Sequence, residues 1–441
     1  MLEQNAKEEG DIAFMLISTA LVLMMTIPGL ALFYGGLARA PNVLSTVMQS
    51  FAITCLVSVL WIIAGYSLCF DAGNPFIGGA NKFWLTGVYG SMSGSIPEVL
   101  FVMYQATFAI ITCAIITGSF AERMRFAPTL IFVGIWHLIV YCPIAHWEWG
   151  GGFMSQWHVL DFAGGDVVHI SSGASGLAAS IIVGKRKGFG QGQELPPHNI
   201  LLVFLGASLL WVGWFGFNAG SAIAANEQAS IAMLVTHVSA AAGGFSWMLT
   251  EWIFRKKPSV LGAVSGAIAG LVVITPGSGY VNHTGAFVMG LIAGPFCYFS
   301  IQLKHILGFD DALDAFGVHG VGGMLGGILT GCFADAAIGG QNGAFYGNPK
   351  QLGIQLAGIA VTLVYSIIMT FIILKPLDLI WRAATGNGIR VTEEEEDRGL
   401  DLSEHGESML FDSAHAKLEP DQTLNVGPFE SRVYPITVNA E

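Results

Sequence analysis

Two histidines carry the clearest chemical signal in this chain. His169 lies in DFAGGDVVHISSGASGL, residues 161–177, behind Asp161 and Asp166 and ahead of a run of apolar and small residues. A weaker copy, DAFGVHGVGGMLGGILTG at residues 314–331, puts His319 after Asp314 and repeats the Val-His pair. An ionisable ring in an apolar segment is costly, and such residues mark sites by default. The pair admits three uses. As metal ligands they need a third donor, for which Asp161, Asp166 and Asp314 are the available acids. As core residues they need only backbone partners. As neutral imidazoles facing each other in a pore, each offers one donor and one acceptor nitrogen, and a small hydrogen-bonding solute can pass without meeting a fixed charge. The residues favour the pore.

Aromatic side chains cluster in two other stretches, HWEWGGG with Trp147 and Trp149, and LLWVGWFGFNAGS with Trp211, Trp214, Phe215 and Phe217; Phe108 stands in YQATFAIIT. Interfacial belts account for many membrane tryptophans. Together with the Ser221 hydroxyl and the scarcity of nearby basic residues, these rings suit recruitment of a small cation through their faces. Asp161 then serves as a helix N-cap, an electrostatic aid, or both.

The elements that hold these residues are apolar helices. The chain has 441 residues, 53% hydrophobic and 11% charged, with a mean hydropathy of +0.61; soluble domains carry roughly 25% charge. Runs long enough to span a bilayer fall near 12–34, 43–69, 99–120, 127–146, 163–184, 199–219, 229–253, 259–275, 285–303, 315–334 and 352–380. An all-α polytopic membrane protein of eleven helices is expected. The polar, acidic start is not a cleavable signal, so residues 1–11 form a short outer segment and 12–381 the membrane domain. Much of the net charge of -12 comes from Glu393–Glu396 and the residues beyond, and it says little about substrate. The six cysteines stand singly, without ligand spacing, and read as small core residues.

Lys and Arg alternate between loops: Arg39, Arg123, Arg125, Lys185–Lys187, Arg255–Lys257 and Lys304 on one side, with only Lys82 and Lys350 on the other. The positive-inside rule puts the amino terminus outside and residues 382–441 in the cytoplasm as a tail, partly disordered when alone. The longest outer loop is 71–98. Glycines at small-xxx-small spacing, such as Gly262/Gly266/Gly270 and Gly322/Gly326, suit close helix packing. With His169 in the fifth helix and His319 in the tenth, helices 1–5 and 6–10 form inverted repeats, and an eleventh helix follows. A site shared by such repeats lies near the bilayer midplane.

Taken together, DFAGGDVVHISSGASGLAASIIVGKRKG, GWFGFNAGSA, AHWEWGGG, DAFGVHG, FYGGL and EEEEDRGLDLSEHGE resemble the ammonium transporter (Amt/Mep/Rh) family, Amt branch, across nearly all of residues 10–408. The resemblance matches Trp149, Ser221, Phe108 and Trp214 to an outer recruitment site supported by Asp161. It matches Phe108 and Phe217 to a stacked gate, and His169 and His319 to twin pore histidines. It implies ammonium uptake through a plasma- or inner-membrane protein: NH4+ selected outside, deprotonated, conducted as NH3 and reprotonated inside, with net proton transfer if the proton follows through the histidines and water, or as a gas channel if it returns outside. It further implies a homotrimer with one pore per subunit, contact with membrane lipid, and a PII-type signalling protein at the tail. Neither enzyme activity, cofactor, metal nor nucleic-acid partner is expected. An ammonium sensor using the same pore and tail is the alternative, and a metal-dependent membrane enzyme a third reading. The tail departs from the family pattern, since Ser408, Met409 and Leu410 and about 30 further residues follow HGE, which puts control by that partner in doubt.

Overall fold

The computed structural model describes residues 2–192 and 195–408. Among them, eleven helices are long and apolar enough to cross a membrane: α1 Lys7–Leu37, α2 Ala40–Phe70, α3 Glu98–Phe120, α4 Phe126–Gln156, α5 Gly165–Val183, α6 Ile200–Gly220, α7 Glu227–Arg255, α8 Val260–Gly277, α9 His283–Leu307, α10 Phe316–Phe333 and α11 Pro349–Thr385. Their backbones satisfy their own polar groups, which hydrocarbon requires. The chain is therefore a multi-pass membrane protein. Between α2 and α3, the loop at 71–98 carries one short hairpin, Met92–Ser93 against Ile96–Pro97.

The two histidine-bearing helices are built alike and cross at their glycines. Each opens with a wide π-helical turn: the His169 N–H bonds Gly164 O five residues back at 3.0 Å, and the Val321 N–H reaches Phe316 O. A Cβ on Gly173, four residues after His169, would meet Gly320 N at 2.3 Å. A Cβ on Gly323, four residues after His319, would meet Ile170 Cγ1 at 3.0 Å. The residue one past each histidine thus faces the glycine four past the other. That reciprocity is what a two-fold relation between α5 and α10 produces, and it brings the rings together in the middle of the bundle.

Helix α11 packs on α5 with a polar stripe. Gln351, Gln355, Thr362, Ser366 and Thr370 are all buried, while Leu356, Val364, Ile368 and Ile372 on its other face are exposed, as a lipid-facing side should be. Gln355 clamps the backbone of Leu160 from both sides, accepting from its N–H at 2.7 Å and donating to its carbonyl at 2.9 Å.

Beyond α11 the acidic segment is docked as far as residue 408. Gly386, at φ 78°, ends α11; α12 Glu393–Arg398 starts with a capping box of Thr392 and Glu395, and α13 Leu400–His405 follows. Glu395 and Glu404 bond Arg125, Glu396 bonds Arg390, and Asp401 takes the Ser45 N–H. The acids are held because the arginines of the basic loops gather at the same end of the bundle. Met409, Leu410 and the extension to Glu441 lie outside the described residues. Four cysteines are buried as expected (Cys69, Cys113, Cys142, Cys297), but Cys55 is exposed and Cys332 partly so. Cys55 sits on the outward face of α2 with Phe51 and Val59, where an apolar bilayer can replace the core.

Candidate functional site

Asp161 organises the mouth of the site at the end of the bundle opposite the tail. Its buried carboxylate accepts four backbone N–H bonds, from Gly164 (2.7 Å), Gly165 (2.6 Å), Asp166 (2.7 Å) and Val167 (3.1 Å). These are the orphan donors at the start of α5, and a carboxylate at a helix N-terminus satisfies both their geometry and their dipole. Gly164 makes the turn possible at φ 117°. The Asp161 carbonyl in turn receives the Trp149 indole N–H at 2.9 Å, so the cap also fixes that ring.

Trp149 meets the edge of Phe108, with centroids 5.8 Å apart and planes at 90°. Phe108 stacks on Phe217 at 4.2 Å and 23°, both nearly inaccessible at 1%. Ser221, one turn beyond Phe217, donates to the Phe217 carbonyl at 2.8 Å. The structure therefore brings Trp149, Phe108, Phe217 and Ser221 together. It adds Tyr104, which the sequence reading missed: its hydroxyl lies 3.0 Å from the carbonyls of Gly216 and Phe217 and 3.4 Å from Ser221 Oγ. The available signal was its position four residues before Phe108, on the same face of α3.

Trp214 lies elsewhere. It is seven residues back along α6 from Ser221, about 10 Å deeper at 1.5 Å per residue, where it stacks beside His169 at 5.5 Å and donates to Thr275 Oγ1 at 2.9 Å. It belongs with the histidines rather than the mouth. The other rings of the two aromatic stretches are also outside the site: Trp147 donates to Phe76 O, while Trp211 and Phe215 flank His237 on α7.

Below the phenyl stack, His169 and His319 face each other with Nδ1 atoms 3.2 Å apart. Nδ1–H of one ring must donate to the unprotonated Nδ1 of the other, so the pair holds two different tautomers. A narrow cavity of about 10 Å³ runs beside them, lined among others by Ile115, Val168, Leu210, Trp214, Phe217 and Ile268. That is about one water-sized probe, and apart from the two imidazoles its walls are apolar. On the tail side His319 opens into a vestibule of about 680 Å³.

The counterpart of Asp161 is Asp311, not Asp314. Each lies eight residues before its histidine, and the buried Asp311 accepts the N–H groups of Phe316 (2.8 Å) and Gly317 (3.2 Å) at the start of α10. Asp314 instead sits at φ 60° and pairs with Lys304 at 2.6 Å. Beside Asp311, Asp310 binds Arg186 at 2.9 Å and approaches the fully buried Arg123 at 4.0 Å. Burial pushes the Asp310 carboxyl up, but the two guanidinium groups outweigh it and hold it at about 2. Among the described residues, no group of three or more His, Cys, Asp and Glu side chains is placed to hold a metal ion.

Comparison with known proteins agrees over almost the whole chain. The model of the Ammonium Transporter Family matches residues 13–410. An ammonium transporter of Bacillus subtilis is 50% identical over 410 residues, covering 92% of this chain and 99% of that protein. The crystal structure of Saccharomyces cerevisiae Mep2 superposes with a TM-score of 0.82 at 36% identity, covering 87% of this chain and 88% of that one. A structure described as a sensor Amt protein gives 0.83 at 28% identity, covering 91% and 99%.

Proposed function

The chain belongs to the ammonium transporter family, and on that premise we propose that it recruits NH4+ at the Trp149, Phe108 and Ser221 mouth and conducts NH3 past His169 and His319. The carrying observation is the change in chemistry along the path. The mouth offers π faces and a hydroxyl, which suit a small cation. The stacked Phe108 and Phe217 then close off a cavity of about one water's volume, where two neutral-capable imidazoles stand among mostly apolar side chains. A bare cation there loses its hydration for too little in return. Ammonia loses far less and can bond the ring nitrogens in turn.

In this reading the proton leaves above the gate, where Asp161 lends its negative field, and NH3 is reprotonated in the wide vestibule below His319. Net proton transfer accompanies each molecule. The basic loops and docked tail at the vestibule end support a cytoplasmic side there and an outer amino terminus, in a plasma or inner membrane. Residues 1–11, 12–381 and 382–441 then serve as outer segment, transport domain and cytoplasmic regulatory tail. The exposed apolar flanks take lipid and, between copies, form a homotrimer with one pore per subunit; the tail offers its acidic face to a PII-type protein. The protein does no covalent chemistry in this account; it moves its substrate across the membrane.

The test is ammonium-evoked current from the purified protein on a supported membrane, together with growth of a transporter-deficient host on low ammonium. Current and rescue are expected. Binding without either, in protein that reaches the membrane, would instead favour the sensing role that the likeness to a sensor Amt protein keeps in view.

A further inference from the structure

Two acids beside the mouth have no role in the path just described. Glu148, next to Trp149 on α4, and Asp166, in the first turn of α5, are 6% and 3% exposed. Glu148 Oε2 and Asp166 Oδ1 have no hydrogen-bond partner. Neither residue is in an ion pair with a basic side chain among the described residues. Both adjoin Asp161: the Asp166 N–H bonds its carboxylate at 2.7 Å, and Glu148 precedes Trp149, whose ring bonds its carbonyl. A buried carboxylate without a countercharge is a place where a proton can bind, because protonation removes the charge that burial penalises.

A line of hydroxyls leads away from them. Asp166 Oδ2 approaches α11 at Gly358, where a Cβ would stand 3.2 Å from it. Thr362 and Ser366 follow at one-turn steps, both fully buried and both with a hydroxyl lacking a partner. Ser366 is reached from α5 by Ser175, whose hydroxyl lies 3.5 Å from the Ser366 carbonyl. On α5 the adjoining Gly176 faces Ser119, at 2.3 Å from a notional Cβ to Oγ. The neighbouring Asp311 again carries an unpartnered buried oxygen. Turn-spaced side chains on a helix stand roughly 5–6 Å apart, too far for a direct bond and the span of a single bridging water. Interhelical packing explains a hydroxyl such as Ser175, which is bonded to the Ser366 carbonyl and the Trp136 indole; it does not explain the buried hydroxyls of Thr362, Ser366 and Ser119, which have no partner.

We propose that Glu148 and Asp166 accept the proton released by ammonium at the mouth and that this seam between α3, α5 and α11 carries it past the histidine pair to Asp311, separately from the ammonia. The inference rests on the transport reading above. The balance is simple: NH4+ and a carboxylate give NH3 and a carboxylic acid, the proton hops through hydroxyls and bridging water, and the acid at the far end returns it to ammonia or water in the vestibule. The substrate of the seam is H+ alone, since no space wider than a water is needed.

The experiment measures two quantities on reconstituted protein: ammonium-evoked current, and ammonia flux from an internal pH dye. The variants are Asp166→Asn and the double change Thr362→Val with Ser366→Ala, which removes the hydroxyls at nearly constant volume. Current is expected to fall by about tenfold or more, toward what a positioned proton-transfer group contributes, with ammonia flux kept within about twofold, so that the retained flux also shows folded protein; Thr362→Ser should keep the current. Wild-type current in both variants overturns the seam, as does parallel loss of current and flux in protein with an intact gel-filtration profile. Ammonia flux without current in the wild type also overturns it. A wild type with neither current nor flux instead removes the transport reading itself, so the two failures are distinguishable.

Discussion

The path is sealed at the end beside His169, in the first half of the inverted repeat, and open at the end beside His319, in the second. Around His169 the sequence supplies aromatic walls, with Trp214 stacked beside the ring and the Phe108 and Phe217 pair above it. Around His319 the helix meets a vestibule of about 680 Å³. The aspartate caps follow the same division. Asp161 holds four amides and, through its carbonyl, the Trp149 ring; Asp311 holds two. The residue before each cap differs most. Leu160 is fixed by the amide of Gln355, whereas Asp310 is fixed by two buried arginines. A common backbone frame places the twin rings, and unequal surroundings give the two ends different work: a neutral clamp near the selective mouth, and an ionic one beside the basic loops and tail.

The largest expected effect comes from the ionic clamp. Asp310→Ala leaves Arg123 buried and uncompensated, which costs about 3–5 kcal/mol, seen as a lowered melting temperature in detergent. Because the folded carboxyl titrates at about 2 against an ordinary value of 3.8, its contribution is full above pH 3.8 and lost as pH falls through about 2. Leu160→Ala, at the matching position, should show no such acid-linked term.

Next come the caps. Asp161→Ala leaves four amides unpaired at a buried helix start and frees Trp149; we expect a loss of about 2–4 kcal/mol and abolished ammonium current. Asp311→Ala exposes half as many donors and should cost about 1–2 kcal/mol, measured by the same unfolding assay. Equal losses would break the distinction between the ends.

Smaller effects on stability are expected at the rings. His169→Ala and His319→Ala should both change conduction or ammonium selectivity while the protein still folds, with His169→Ala the more severe because its ring is walled by Trp214 and Phe217. Wild-type transport by both would remove the pore assignment.

What the sequence made legible follows from which forces act locally. Eleven spans could be counted because a bilayer demands about 20 apolar residues at a time, and the histidines stood out because charge-capable rings are rare there. The depth of Trp214 was not legible. In LLWVGWFGFNAGS it is written beside Phe217, yet the helical rise separates it from Ser221 by about two turns. The docked tail was missed for a different reason: Glu395 and Glu404 look like a solvated acidic run until Arg125, far away in the chain, is placed against them. Asp311 was passed over because the Asp-to-His frame of the second motif pointed to Asp314, which is closer to its histidine.

That confusion sets the smallest and sharpest comparison. Asp314 stands three residues beyond the true cap, partly exposed, in a left-handed conformation that Asn also tolerates. Its side chain pairs with Lys304 and takes none of the N–H groups at the start of α10. An ion pair of that exposure is worth about 0.2–1 kcal/mol, so Asp314→Asn should shift unfolding only slightly and leave the ammonium current near wild type. If Asp314→Asn instead costs as much as Asp311→Ala, the acid nearer the histidine is the working cap, and the eight-residue frame shared with Asp161 is a coincidence of spacing rather than the trace of the repeat.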